Sequence, residues 1–240
     1  MSEKEIRHLE SITPFYEEGD PMDRLLIDRE MDIIRCFCAT ESKSVLEVGC
    51  GDGYSTQKLA AIFPDLEVIE PSQGNIALLR QRLPAVPCHN VLLEDFRASR
   101  KFDYVFFLNV IEHVEDPVAA LQQCAALLRD EGAIFISAPN CMSLNRRAGY
   151  HMGLLASYDT LAPKDLRVGH RRLYTTRMLA DHCDRAGLRV MQMKGLYLKP
   201  LSEKQMIELG DEVVRAFHLL GEDIPEYCAC LLAIAAKKHY

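Results

Sequence analysis

The chain has 240 residues, of which 48% are hydrophobic, enough for one sizeable α/β domain with its own core. Its formal net charge is −7, which argues against a general nucleic-acid binder, since phosphate contacts need clustered Lys and Arg. The start MSEKEIRHLE lacks the apolar core of a secretory peptide, and runs such as YVFF and CLLAIAA are too short to span a bilayer. These features fit a cytoplasmic protein that engages neither nucleic acid nor membrane; nothing in them fixes an oligomeric state. The nine cysteines are most simply free thiols. Cys36 with Cys38 and Cys228 with Cys230 form C-x-C pairs, but zinc sites use C-x₂₋₄-C pairs with partners, so no metal is expected.

In chain order, Tyr16 in TPFYEEGD is a candidate lid residue in a segment that could equally be poorly ordered. Residues 21–38 carry Leu25, Leu26, Met31, Ile33 and Ile34 at helical spacing and predict a cap on the core. Val45–Val48 is a short buried strand, followed by a helix from Tyr54 to Phe63. Leu66–Ile69 is a second strand, and Ile76, Leu79 and Leu83 mark the next helix. His89–Val91 is a short third strand, and Tyr104–Leu108 is apolar throughout, as a strand covered on both faces should be. Asp116 and Pro117 give an N-cap and an N1 proline to a helix that Gly132 would end, before a fifth strand at Ala133–Ser137. Thr175 caps a helix to Ala186 with Gly187 as C′, and Leu188–Met193 is a strand. Gln205–Leu220 has helical apolar spacing, and Tyr227–Ala236 is the final strand.

Strands alternating with amphipathic helices imply a doubly wound, mostly parallel, seven-stranded α/β sheet. The alternation breaks at 139–172, an irregular segment with Pro139, glycines and a basic cluster. The expected organisation is a single domain, 1–240, with an N-terminal helical cap over 1–40 and an insertion at 139–172. That insertion leaves the carboxyl edge of the sheet, where open α/β folds bind ligands.

The stretch VLEVGCGDGYST holds Gly49, Gly51 and Gly53 at alternate positions between a strand and a helix. Glycine permits φ > 0 and removes Cβ, so a ligand can rest on bare backbone. Glu70 ends the second strand, 21 residues beyond Gly49, where a carboxylate can accept bonds from ribose hydroxyls. The spacing is G-x-G-x-G, not the dinucleotide G-x-G-x-x-G, and Glu47 would repel a pyrophosphate. A cationic ligand suits that corner better.

These stretches resemble class I S-adenosylmethionine-dependent methyltransferases. VLEVGCGDG, LEVIEPS, FFLNVIEHVEDP and GAIFISAPN match four motifs of that family, over about residues 43–240. The resemblance implies S-adenosylmethionine as cofactor and a Rossmann-like fold. Gly49 and Gly51 would approach the cofactor, Glu47 would orient its methionine amino group, and Glu70 would hold the ribose. Asn109 would lie against the methionine portion. The acidic residue that related proteins place after the third strand is missing. Leu92 stands there, so adenine would pack on Leu92 or Leu93, with Glu94 or Asp95 as substitutes.

Methyl transfer from a sulfonium is an in-line displacement that mainly needs an acceptor held at roughly 3 Å. A hydroxyl acceptor also gains from a general base. His113 and His170 are the candidates, each with a purely structural alternative, and Tyr174 could orient an acceptor or merely pack. Arg146 and Arg147 open the insertion and Arg171 and Arg172 close it. Convergence would make a phosphate or carboxylate pocket; otherwise they pair with surface carboxylates. The sequence reads NVIEH where base-modifying enzymes carry N/D-P-P-Y/F, which favours a small-molecule acceptor, such as the hydroxyl of a natural product, sugar or quinone. The rivals are a nicotinamide-dependent oxidoreductase and a non-catalytic binder of the same cofactor.

Overall fold

A computed structural model describes residues 10–13, 21–39 and 42–238. Tyr16, the expected lid residue, lies outside them. Seven strands form one sheet: β1 Ser44–Val48, β2 Asp65–Ile69, β3 Cys88–His89, β4 Phe102–Leu108, β5 Leu128–Pro139, β6 Leu188–Leu196 and β7 Cys230–Lys237. Their order is β3-β2-β1-β4-β5-β7-β6, and only β7 runs antiparallel to its neighbours. The expected α/β architecture is therefore the observed one. The chain crosses from β1 outward to β2 and β3, then returns beside β1 as β4. That reversal opens a crevice at the carboxyl ends of β1 and β4.

Alternation along the buried strands divides the core into two apolar layers. Leu46, Val105, Phe107, Ile134 and Ile136 face helices Pro117–Leu127 and Thr176–Arg185. Val45, Val68, Phe106, Phe135 and Ile234 face helices Pro21–Phe37, Tyr54–Ile62 and Gln73–Arg82. Asp116 caps its helix by accepting from Val118 and Ala119, and Thr175 caps by accepting from Met178. Gly187 has φ 79°, as a C′ residue requires.

Three expected boundaries change. The helix after Pro117 ends at Leu127, and Gly132 lies inside β5. A Cβ on Gly132 would stand 2.9 Å from the carbonyl oxygen of Asp103, so close strand approach, not a helix stop, requires glycine there. The region after residue 202 is two helices, Glu203–Glu208 and Asp211–Gly221, broken at Gly210, whose φ is 86°. β3 spans Cys88–His89 and stops short of Val91. The 139–172 stretch carries short helices at Leu144–His151 and Pro163–Arg167, and a bridge from Asn140 to Tyr174 returns it to the sheet.

All nine cysteines are free of disulfides. Burial pushes the Cys38 and Cys183 thiols up to about 12, as for inert core residues. No described helix is long and apolar enough to cross a membrane.

At the opposite edge of the sheet, Asp103 anchors β4 to β1. Its carboxylate accepts from the Ser44 amide and hydroxyl, both at 3.0 Å, and pairs with Lys43 at 3.1 Å and Arg129 at 2.7 Å. Burial alone would raise its pKa; the Ser44 and Lys43 bonds outweigh it and hold the group at about 2. A depressed carboxylate stabilises the fold above its unfolded pKa and loses that contribution as pH falls through its folded value. Asp103→Asn should therefore cost about 2 kcal/mol at pH 7. The deficit should shrink between about pH 4 and 2, as read by urea unfolding at each pH.

Candidate functional site

β1 delivers the chain into the glycine turn with Glu47 buried at its penultimate position. Gly49, Gly51 and Gly53 take φ of 80°, 50° and 81°, all left-handed. The Gly49 amide donates to the Ile69 carbonyl at 2.8 Å, so the turn is tied to the end of β2. A Cβ on Gly49 would sit 2.8 Å from Cγ2 of Val110, in the loop after β4. The turn is also clamped from outside. Asp52 accepts from the Tyr54 amide and pairs with Arg24 and Arg82, and Arg24 stacks on the Tyr54 ring. Helix Pro21–Phe37 thereby holds the loop that the sequence marks as special.

Glu70 is buried just past β2. One oxygen accepts from the Cys50 amide at 3.0 Å and the other from the Ser72 amide at 2.9 Å. Burial raises its pKa despite those bonds. The Cys50 thiol also donates to Oε2 at 3.6 Å, while Oε1 retains a second lone pair, and Glu70 lines a cavity of about 820 Å³ at the carboxyl edge of the sheet. Leu92, Leu93 and Glu94 also line this cavity, as do Gly49, Gly51, Asn109, Val110 and His113. Asn109 has φ 53°, a left-handed conformation held by its amide donating to Ser137 Oγ at 3.0 Å.

The buried polar inventory is unusual. Ser55 donates to Glu47 Oε1 at 2.6 Å, while Glu47 Oε2 is buried with no hydrogen bond among the described residues. Burial pushes Glu47 up to about 7. Glu30, from helix Pro21–Phe37, also lines the cavity, has an unbonded Oε1, and is pushed up by burial to about 8. Native folds rarely leave such atoms unmatched. A cationic group beside Glu47 would match its orphaned oxygen; Glu47 itself lies behind the cavity lining formed by Val48, Gly49 and Gly51.

At the far side, the β4 loop and the end of the insertion bring His113 and His170 together, ring centroids 5.0 Å apart at 76°. The Arg171 amide donates to the Glu112 carbonyl at 2.9 Å and fixes this approach. Tyr174 is buried, its hydroxyl donating to the Ile111 carbonyl at 3.4 Å, and it is not among the cavity-lining residues. It packs and braces the loop; the expectation that it orients an acceptor is corrected accordingly.

The four arginines do not converge. Arg146 donates to the carbonyls of Tyr158 and Thr160 and pairs with Asp165, inside the insertion. Arg147 stacks on Tyr158 and Tyr227. Arg172 donates to the carbonyls of Ile111, Val114 and Glu115, so it braces the β4 loop. Arg171 alone of the four lines the cavity. The expected basic pocket is thus replaced by main-chain bracing, because irregular backbone offers carbonyls that only long cationic side chains reach.

Sequence reasoning missed Glu30. Its signal was present: it sits four residues after Leu26 and four before Ile34, a carboxylate within an apolar stripe.

A family model described as methyltransferase domain matches residues 24–193. Curated relatives include a ubiquinone biosynthesis O-methyltransferase of Aromatoleum aromaticum, 30% identical over 71% of this chain and 73% of that protein. Another, of the same description, from Actinobacillus pleuropneumoniae, is 27% identical over 68% of this chain and 72% of that protein. Among solved structures, a SAM-dependent methyltransferase of Thermotoga maritima, described as a possible histamine N-methyltransferase, superposes with TM-score 0.68. It is 17% identical, with 98% of this chain and 100% of that one covered, a likeness of fold.

Proposed function

The chain belongs to the class I S-adenosylmethionine-dependent methyltransferases, and from that premise we propose that it methylates a hydroxyl of a small-molecule acceptor such as a natural product, sugar or quinone. S-adenosylmethionine is the methyl donor. When bound, it supplies an electrophilic methyl group on a sulfonium, with a neutral thioether as leaving group. The observation that carries the reading is one cavity lined by Gly49, Gly51 and Glu70, by Glu30 with its unmatched Oε1, and by His113, whose ring meets that of His170.

In this reading Glu47 holds the methionine ammonium, and Glu70 accepts from the ribose hydroxyls. Gly49 and Gly51 give the ligand bare backbone, Leu92 and Leu93 pack on the adenine, and Asn109 flanks the methionine portion; Gly53, which the cavity does not reach, is glycine for its approach to Leu79. Glu30 lines the cavity with an unmatched Oε1, and burial raises its pKa, so it can meet an acceptor hydroxyl. His113 and His170 act at the acceptor end, and Arg171 lines the approach. Helix Pro21–Phe37 and the 139–172 segment wall that end within a single domain. The curated relatives are named as O-methyltransferases of ubiquinone biosynthesis, which supports a small-molecule oxygen acceptor. Disulfide-free cysteines accord with a cytoplasmic setting.

The test is transfer of a labelled methyl group to a panel of hydroxylated acceptors, beside thermal shifts with S-adenosylhomocysteine and NAD. S-adenosylhomocysteine should raise the melting temperature and NAD should not. His113→Ala and His170→Ala should each lower kcat by about 10²–10⁴, with S-adenosylhomocysteine affinity held. Unchanged turnover in both would remove the imidazoles from the acceptor end.

A further inference from the structure

Residues 10–13 form one helical turn laid against the start of helix Gln73–Arg82. Glu10 docks it. One carboxylate oxygen accepts from the Gln73 amide at 2.7 Å and the other from the Gly74 amide at 3.1 Å. First-turn amides have no acceptor within their own helix, and their partial positive charge suits a carboxylate. Gly74 is bare where the turn meets it. A Cβ there would stand 2.9 Å from Thr13 Oγ1 and 3.0 Å from Glu10 Oε2. Alanine is otherwise the better residue within a helix.

What the turn delivers is Thr13. Its hydroxyl donates to Asn75 Oδ1 at 3.1 Å. With its one proton used there, it accepts from the Ser72 hydroxyl at 3.3 Å. Ser72 caps the helix by accepting from the Asn75 amide at 3.1 Å, which leaves its own proton to give. Asn75 is buried and lines the cavity beside Glu70. With Oδ1 turned to Thr13, the N–H₂ end of Asn75 is the end left for Glu70. Burial raises the Glu70 pKa, and the Asn75 side chain is among the hydrogen-bonding groups that oppose the rise. Donation thus runs one way, from Ser72 to Thr13 to Asn75 to Glu70. An amide reversed end for end would set an acceptor oxygen against the carboxylate. The Cys50 and Ser72 amides hold Glu70 from the main chain; Asn75 is a side-chain contact that can be turned the wrong way.

We propose that Thr13 is a positioning residue of the cofactor site: it fixes the Asn75 amide toward Glu70, and so orients that carboxylate for the ribose hydroxyls, with Glu10 holding Thr13 in place. The inference rests on the reading of Glu70 as the ribose carboxylate. Residues 10–13 then belong to the donor site although none of them lines the cavity, and their loss acts on recognition of the sugar.

The test is calorimetry on the full chain with two ligands, S-adenosylhomocysteine and an analogue whose ribose lacks both hydroxyls. The parent should prefer the first by about tenfold or more, the worth of hydrogen bonds to a charged group. Thr13→Val keeps the shape and removes the hydroxyl. It should weaken S-adenosylhomocysteine about three- to tenfold and leave the analogue unchanged. Thr13→Ser should restore the parental value. Gly74→Ala should reproduce the loss from the helix side, and combining it with Thr13→Val should add little, because both act through Asn75. Retained binding of the analogue shows that each variant folds. Parental S-adenosylhomocysteine affinity in Thr13→Val overturns the proposal. So does equal weakening of both ligands, which marks a general effect on the fold. A parent protein that does not distinguish the two ligands overturns the ribose reading of Glu70, and the proposal falls with it.

Discussion

Gly49→Val should abolish binding of S-adenosylhomocysteine, leaving no measurable heat by calorimetry. Two independent effects act at this residue. The φ of 80° is a left-handed conformation that a β-branched residue adopts only under strain. The new Cβ would also meet Val110 Cγ2 at 2.8 Å, before the remaining methyls are counted. Strain and overpacking together should cost about 2–5 kcal/mol of stability. Val110 and Asn109 would be pushed at the point where they line the cavity. Gly51→Val tests the neighbouring position, where φ is 50°. Circular dichroism separates a folded chain with a blocked pocket from an unfolded one. If folded Gly49→Val protein binds S-adenosylhomocysteine with parental affinity, the ligand does not lie on this turn.

Glu47→Gln should move two observables in opposite directions. In the free protein, burial holds the Glu47 pKa at about 7, opposed by the Ser55 hydroxyl and with Glu70 and Asp52 adding repulsion. A carboxyl whose folded pKa is raised destabilises the fold above its unfolded pKa, increasingly so toward neutrality and up to its folded value. Glutamine keeps the Ser55 bond and carries no charge to bury. The ligand-free variant should therefore melt no lower than the parent. Affinity should fall by about 3 kcal/mol, roughly a hundredfold, because a buried charge partner is lost. The pH profile supplies the sign. Binding an ammonium requires ionised Glu47, so parental affinity should rise as pH increases toward about 7, with proton release, and then level off. The variant should lose that rise. A parental profile flat from pH 5.5 to 8 would remove Glu47 from ammonium binding.

The sheet was legible because β1, β2, β4 and β5 are short apolar runs, and the glycine turn announces itself by alternation that neither helix nor strand tolerates. Glu70 followed from its place at the end of β2. The acceptor end was less legible, for physical reasons. Glu30 is a single carboxylate in a helical stripe, and its burial depends on which face meets the cavity. Arg146 and Arg172 look like ligand-binding cations in sequence, yet their partners are carbonyl oxygens, which have no residue identity to read. Gly132 resembles a helix stop, and only the approach of β4 distinguishes that from a strand interior.

β7 lies between β5 and β6, and among the described residues β6 has no other strand partner. Every strand up to β6 is therefore synthesised before the one that joins it to the rest, and a nascent chain stalled near residue 229 would display two unpaired edges at once. Completion of the sheet must await emergence of β7 from the ribosome. A nonsense change in that strand should yield aggregates rather than a weaker enzyme.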